Sequence, residues 1–175
     1  ATYDMLGRGE TLGVFQLGGE GFKKLMIRMR PTEFADLSAA LALYRPGPMD
    51  MDAHNYYADG KNGRIKVEVM DPAFAGSPLE SILAPTYQKI VYQEQVMQIS
   101  QALSGFTMGQ ADSLRKAMGH KKPEVMQAMK QKFINGAVNN GYPKKAVETL
   151  WDYIEKFSAY AFNKAHSCAY AQISY

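Results

Sequence analysis

The 175 residues include one cysteine. A single thiol excludes an internal disulfide and a cysteine zinc site, and it fits a reducing compartment, so a cytoplasmic location is expected. Long apolar runs are missing too. None approaches the roughly 20 residues that a spanning helix needs, and the first residues show no signal-peptide pattern, so no membrane partner is expected. Acidic side chains are scarce in one stretch. Between positions 115 and 145, eight Lys/Arg (115, 116, 121, 122, 130, 132, 144, 145) face a single acid, Glu124. That block carries a local charge of +7 inside a chain of net +3, so the remainder is mildly acidic at −4. A basic block on an acidic body points to an anionic partner for one face.

Apolar residues make up 46% of the chain, which identifies it as globular rather than disordered. Helical spacing dominates the apolar pattern. Phe22, Leu25, Met26 and Met29 form one stripe, ended by Pro31, and Phe34, Leu37, Ala40, Leu41 and Tyr44 form the next, with Thr32 as its expected N-cap. Val96, Met97, Ile99 and Leu103 follow, closed by Gly105. Thr107 and Gln110 have the spacing of a capping box for a helix expected to stop at Gly119. Pro123 and Pro143 open two further helices, with Val125, Met126, Met129, Phe133 and Ile134 on one face and Val147, Leu150, Trp151, Ile154 and Phe157 on the other. Thr11–Leu17 reads as a short extended segment, and Arg45-Pro46-Gly47-Pro48-Met49 as a rigid non-helical turn. The fold class is therefore mainly α, a multi-helix domain with a few short strands in the 55–92 region. Both ends read as ordered chain and are expected to be cut from something longer.

Two clusters carry chemistry. Arg115, Lys116, His120, Lys121 and Lys122 gather around a helix end, where they either complement the helix dipole or bind a polyanion. Asn163, Lys164 and His166 open the last helix beside Tyr160, Phe162 and Tyr170. Free N–H groups, a lysine and aromatic faces suit a nucleotide, while a buried histidine with a surface lysine is the plain alternative. Asp50, Asp52 and His54 have metal-ligating chemistry but no third acidic partner, and no metal site is assigned.

The segments TLGVFQL, ALYRPGPM, YQEQVMQI, ADSLRKAMGHKKPE and FNKAHSCAY, in that order across nearly the whole chain, resemble the bacterial C-family replicative DNA polymerases, the DNA polymerase III alpha subunits. The resemblance implies the end of the palm at 1–17 and a mostly helical fingers domain over 18–175. It implies an enzyme, a DNA-directed nucleotidyltransferase, of which this segment alone is expected to be inactive. The catalytic aspartates and their Mg²⁺ ions would lie in palm residues outside the segment, which leaves no catalytic residue and no metal ligand here. By motif, Arg115, Lys116, Lys121 and Lys122 correspond to the triphosphate pocket, and Asn163, Lys164, His166 and Ser167 to the block near base and sugar. Arg45 is the arginine of the proline-rich corner. The implied partners are deoxynucleoside triphosphates, primer–template DNA, the rest of the polymerase chain and replisome subunits. Lys116 stands where the family usually has arginine, His120 where a third lysine is usual, and Gly18-Gly19 where Glu-Ser is usual. A reading from another class is a non-enzymatic helical nucleic-acid-binding module that uses the basic 115–145 face.

Overall fold

The structure, a computed structural model, describes residues 1–120, 123–158 and 160–175, without the side chains of His120 and Ser158. Among the described residues the chain forms α1 (Thr2–Gly7), α2 (Glu20–Met29), α3 (Phe34–Leu43), α4 (Pro46–Asp50), α5 (Ala53–Lys61), α6 (Pro78–Leu83), α7 (Gln93–Ser104), α8 (Met108–His120), α9 (Pro123–Asn139), α10 (Lys144–Ser158) and α11 (Lys164–Ser174). None of these helices is long and apolar enough to cross a membrane. The chain divides into two compact units. One comprises residues 1–67 together with 162–175, and the other residues 68–161.

In the first unit α2 buries Phe22, Leu25, Met26 and Met29, the stripe expected from their spacing. It ends with Arg30 in the left-handed region, φ 50°, directly before Pro31. The next helix starts one residue later than Thr32 suggests. Glu33 is its N-cap, in a reciprocal capping box with Asp36. Asp36 reaches further than a cap. Its fully buried carboxylate accepts from the backbone N–H of Thr32 (2.8 Å) and Glu33 (3.2 Å) and from the Tyr57 hydroxyl (3.3 Å), and it pairs with Lys61 at 2.8 Å. This ties the start of α3 to α5. Helix α3 is apolar and small all round, burying Leu37, Ser38, Ala39, Ala40, Ala42 and Leu43, as a helix packed on several sides must. One of those sides meets α11, where the Ser38 and Ser167 hydroxyls lie 2.8 Å apart.

Two expectations change here. Residues 11–17 fold as consecutive turns and not as an extended segment, with Gln16 at φ 65° and Leu17 fully buried. Pro46-Gly47-Pro48-Met49 is not a non-helical corner. It is the short helix α4, with Arg45 as N-cap and Pro46 at the first helical position, where a missing N–H costs nothing.

The second unit packs α6 to α10 around one core that includes Phe74, Leu79, Ile99, Leu103, Leu114, Phe133, Leu150, Trp151 and Ile154. Gly105, at φ 68°, closes α7 as expected, and the Thr107–Gln110 capping box opens α8 through bonds of 3.0 and 3.3 Å. Helices α7 and α9 approach closely because Gly136 rests against the Ser104 carbonyl and Asn140 donates to the Leu103 carbonyl at 2.9 Å. The mainly α class stands. The short strands expected in 55–92 do not form among the described residues, apart from one isolated bridge residue at Tyr92. The chain there consists of α5, α6, two 3-10 turns and irregular backbone. The apolar run Ile90-Val91-Tyr92 shows the reason. The Gln95 side chain accepts from the N–H of Val91 (2.8 Å) and Tyr92 (3.0 Å), so these amides are satisfied by a helix-capping side chain instead of a neighbouring strand.

Candidate functional site

The residues singled out for chemistry fall into two groups, one in each unit. In the second unit Ala111, Leu114, Ala117 and Met118 bury one face of α8, which turns Asp112, Arg115 and Lys116 to the other. Arg115 and Lys116 are 32% and 62% exposed. Helix α8 runs through Gly119 to His120, so Gly119 is helical and not a left-handed stop. Nothing in the sequence forces an end there, because alanine-like helical geometry is open to glycine whenever the next residues continue the turn. Lys121 and Lys122 lie outside the described residues, as does the His120 side chain.

The two described cations share one carboxylate. Arg115 directs Nε (3.0 Å) and Nη2 (2.8 Å) to Oδ1 of Asp112, and Lys116 places Nζ 2.8 Å from Oδ2. The Lys116 and Arg115 hydrogen bonds hold the Asp112 carboxyl below its ordinary value, so it is ionised at neutral pH. Further along the basic block, Lys130 pairs with Asp152 at 3.1 Å and Lys144 with Glu148 at 3.8 Å. Lys132 sits 5.7 Å over the Phe106 ring. The block is thus less bare than its sequence suggests, since acids just outside 115–145 return to meet it. Asp112 was not singled out from the sequence. Its position three and four residues before Arg115 and Lys116 is the helical ion-pair spacing that marks it.

The other group is built at the start of α11. Asn163 caps the helix, its Oδ1 accepting from the His166 N–H at 2.9 Å. Lys164 is the first helical residue and is exposed, as is His166. The Arg45 guanidinium lies 4.6 Å over the Phe162 ring, and its Nε donates to the Ala42 carbonyl at 2.8 Å. Burial pushes the Arg45 guanidinium below its ordinary value. From Phe162 a row of rings continues through His166 (5.5 Å), Tyr170 (4.3 Å) and Phe15 (5.7 Å). Arg45 is therefore brought, by way of Phe162, beside Asn163, Lys164 and His166. Ser167 points the other way. It is buried, donates to the Lys164 carbonyl at 3.0 Å and meets Ser38. Phe15 is the member of this row that was missed, because its run was read as an extended segment.

Residues 1–141 match the model of the bacterial DNA polymerase III alpha subunit finger domain. The chain belongs to this family. Among curated relatives it is 53% identical over all 175 of its residues to the DNA polymerase III subunit alpha of Mycobacterium leprae, covering 15% of that protein. The subunit from Aquifex aeolicus is 51% identical over 173 residues, 99% of the chain and 14% of the relative. The Escherichia coli K12 subunit is 47% identical over 174 residues, 99% of the chain and 15% of the relative. The chain spans about one seventh of the length of the polymerase subunits it matches. Among the described residues, no three His, Cys, Asp or Glu side chains gather where they could hold a metal ion.

Proposed function

We propose that this chain is the fingers region of a cytoplasmic bacterial DNA-directed DNA polymerase and that it binds the incoming deoxynucleoside triphosphate and the primer–template. The observation that carries the reading is the pairing of Arg115 and Lys116 on the solvent face of α8 in a chain of the polymerase finger family. In the reaction the primer 3′-hydroxyl attacks the α-phosphate and pyrophosphate leaves. Divalent cations, Mg²⁺ by resemblance, would be held by carboxylates elsewhere in the full-length subunit and would activate the hydroxyl and stabilise the leaving oxygens. The residues of this chain contribute charge and shape. Arg115, Lys116, Lys121 and Lys122 face the triphosphate, where cations stabilise charge that develops on the phosphates. Arg45, Asn163, Lys164 and His166 lie toward the base and sugar, with the ring row as a stacking surface. Ser167 supports that group by holding α11 on α3. The rest of the polymerase chain and the replisome subunits complete the machine. A stand-alone nucleic-acid-binding module is less well supported, because the internal ion pairs of Lys130 and Lys144 reduce the charge left for a phosphate backbone.

The test is Arg115→Ala in the full-length subunit. Loss of a charge-assisted hydrogen bond of about 1.5–3 kcal/mol lowers kcat/KM for nucleotide incorporation roughly 10- to 150-fold, at about 1.4 kcal/mol per factor of ten. Binding to primer–template without nucleotide changes little. Unchanged incorporation by a folded mutant would refute the placement. A second expectation is that the 175-residue chain alone extends no primer. Extension by a preparation free of contaminating polymerase would overturn it.

A further inference from the structure

The outer face of α2 carries cations that the candidate sites leave unused. Phe22, Leu25, Met26 and Met29 turn to the core, which leaves Lys23, Lys24, Ile27 and Arg28 on the opposite side and Arg30 at the helix end. Residues 62–64 close against that end. Asn62 donates to the Met29 carbonyl at 2.8 Å, and Arg64 donates to the Arg28 carbonyl at 2.9 Å. Asp59 of α5 accepts from Arg28 at 3.0 and 2.6 Å and from Arg64 at 3.2 Å. The two guanidinium groups are thus held in place, yet stay 46% and 39% exposed. Lys23, Lys24 and Arg30 have no ion-pair partner among the described residues. Five of the first unit's ten Lys and Arg residues gather here, against two of its eight acids, Glu20 and Asp59. The helix dipole favours Arg28 and Arg30 at the end of α2, but not Lys23 and Lys24 in its N-terminal half. Lys24 and Arg28 are like charges four residues apart, which costs a helix stability.

We infer that this face of α2 binds the phosphate backbone of the duplex part of the primer–template. This rests on the reading of the chain as a polymerase fingers region, which by itself assigns the DNA no surface. Backbone phosphates ask for cations and no particular sequence. A protein partner asks for apolar or aromatic anchors to bury, and the patch holds one exposed large apolar residue, Ile27. Unpaired bases ask for rings to stack on, and the exposed aromatic side chains, Phe15 and Tyr175, belong to other segments. Duplex backbone is the polyanion left. Lys24 and Arg28, about 6 Å apart along the helix axis, offer it a short row of charge, with Lys23 and Arg30 to one side and Arg64 to the other.

The experiment is a salt titration of primer–template binding by the full-length subunit, without nucleotide, comparing the unaltered protein with Lys24→Gln/Arg30→Gln. Each phosphate contact contributes about 0.9 to the slope of log K against log salt, so the slope falls by roughly one to two. The dissociation constant near physiological salt rises roughly five- to thirtyfold. The KM for nucleotide at saturating DNA does not change. Lys23→Gln/Lys24→Gln, which leaves the left-handed backbone of Arg30 alone, carries the same expectation if the first pair folds poorly. Arg8→Gln/Lys156→Gln removes the same charge at two other exposed sites and leaves the slope near that of the unaltered protein. An unchanged slope, an equal fall in this matched pair, or an equal loss of affinity for the single-stranded template alone overturns the inference. So does a loss that arises only when replisome subunits are added, which would mark the face as a site for an acidic protein. If the slope is unchanged while Arg115→Ala still lowers incorporation, only the role of the α2 face falls. If Arg115→Ala also leaves incorporation unchanged, the triphosphate corner falls with it.

Discussion

Removing the Asp36 carboxylate strands a lysine. Asp36 is fully buried, and Lys61, its ion-pair partner at 2.8 Å, keeps only 10% of its side chain in contact with solvent. Asp36→Ala leaves that ammonium with the Thr32 hydroxyl at 2.7 Å as its remaining hydrogen-bond acceptor and removes the acceptor for the Thr32 and Glu33 N–H groups. Breaking a buried pair from one side costs about 3–5 kcal/mol, because an uncompensated charge stays behind. For a chain of this size each kcal/mol lowers Tm by about 2–4 °C, so a fall of roughly 6–20 °C is expected. The measurement is a thermal melt and a urea titration followed by circular dichroism. The double variant Asp36→Asn/Lys61→Met removes both charges and keeps an acceptor for the two N–H groups, and it should recover most of the loss. If Asp36→Ala costs less than about 1 kcal/mol, the range of an exposed pair, the carboxylate is not the tie between α3 and α5.

Gly136→Ala drives a Cβ into the Ser104 carbonyl between α9 and α7, and overpacking of this kind costs about 1–3 kcal/mol. The same change at Gly109, which has open space around it, should be tolerated, and melts of the two variants side by side check the contrast. His54 supplies a pH dependence. Its half-buried ring packs edge-on to Tyr44, its Nδ1 is buried without a partner, and burial lowers its pKa, opposed by Asp52 and reinforced by Arg28. A folded-state pKa below the unfolded one means that the unfolded chain binds more protons in the window between them. Stability is then fully present above the ordinary imidazole value of about 6.5 and falls as pH drops through that window. Denaturant midpoints at pH 7.5 and 5.5 should differ in the wild type and differ less in His54→Phe; equal slopes would rule His54 out.

Periodicity and caps were the legible part of this sequence. The apolar stripes of α2 and α10, Gly105 after α7, the Thr107–Gln110 box and the Asn163 cap lie where their spacing puts them, because each depends on residues within one or two turns, whereas α9 buries Met126, Phe133 and Ile134 but leaves Val125 exposed. The misread elements were those decided by a partner elsewhere. Ile90–Tyr92 has strand-like composition, but the Gln95 side chain takes the amides of Val91 and Tyr92 and the Tyr153 hydroxyl that of Ile90. Pro46 and Pro48 look like breakers, but the first turn of a helix tolerates both. At the candidate site, Asn163, Lys164 and His166 are neighbours along the chain, whereas the approach of Arg45 to Phe162 beside them is visible only in the fold. Ser167 was grouped by motif with the residues expected near base and sugar, and only the packing of α11 on α3 shows where its hydroxyl goes. Asp112 was overlooked because charge was counted in blocks, whereas a helix pairs charges at three and four residues.

The division of the chain has a consequence for synthesis. Residues 68–161 are continuous and can close their core as soon as they leave the ribosome. Residues 1–67 cannot, because α3 waits for α11, and the Ser38–Ser167 pair joins positions 129 residues apart. Residues 1–67 are therefore made before residues 68–161 but completed after them. Until α11 arrives, the small apolar side chains of α3 are exposed, a period in which unpaired hydrophobic surface invites aggregation or a chaperone. The same ordering means that Arg45 meets Phe162 only after residues 68–161 have been made.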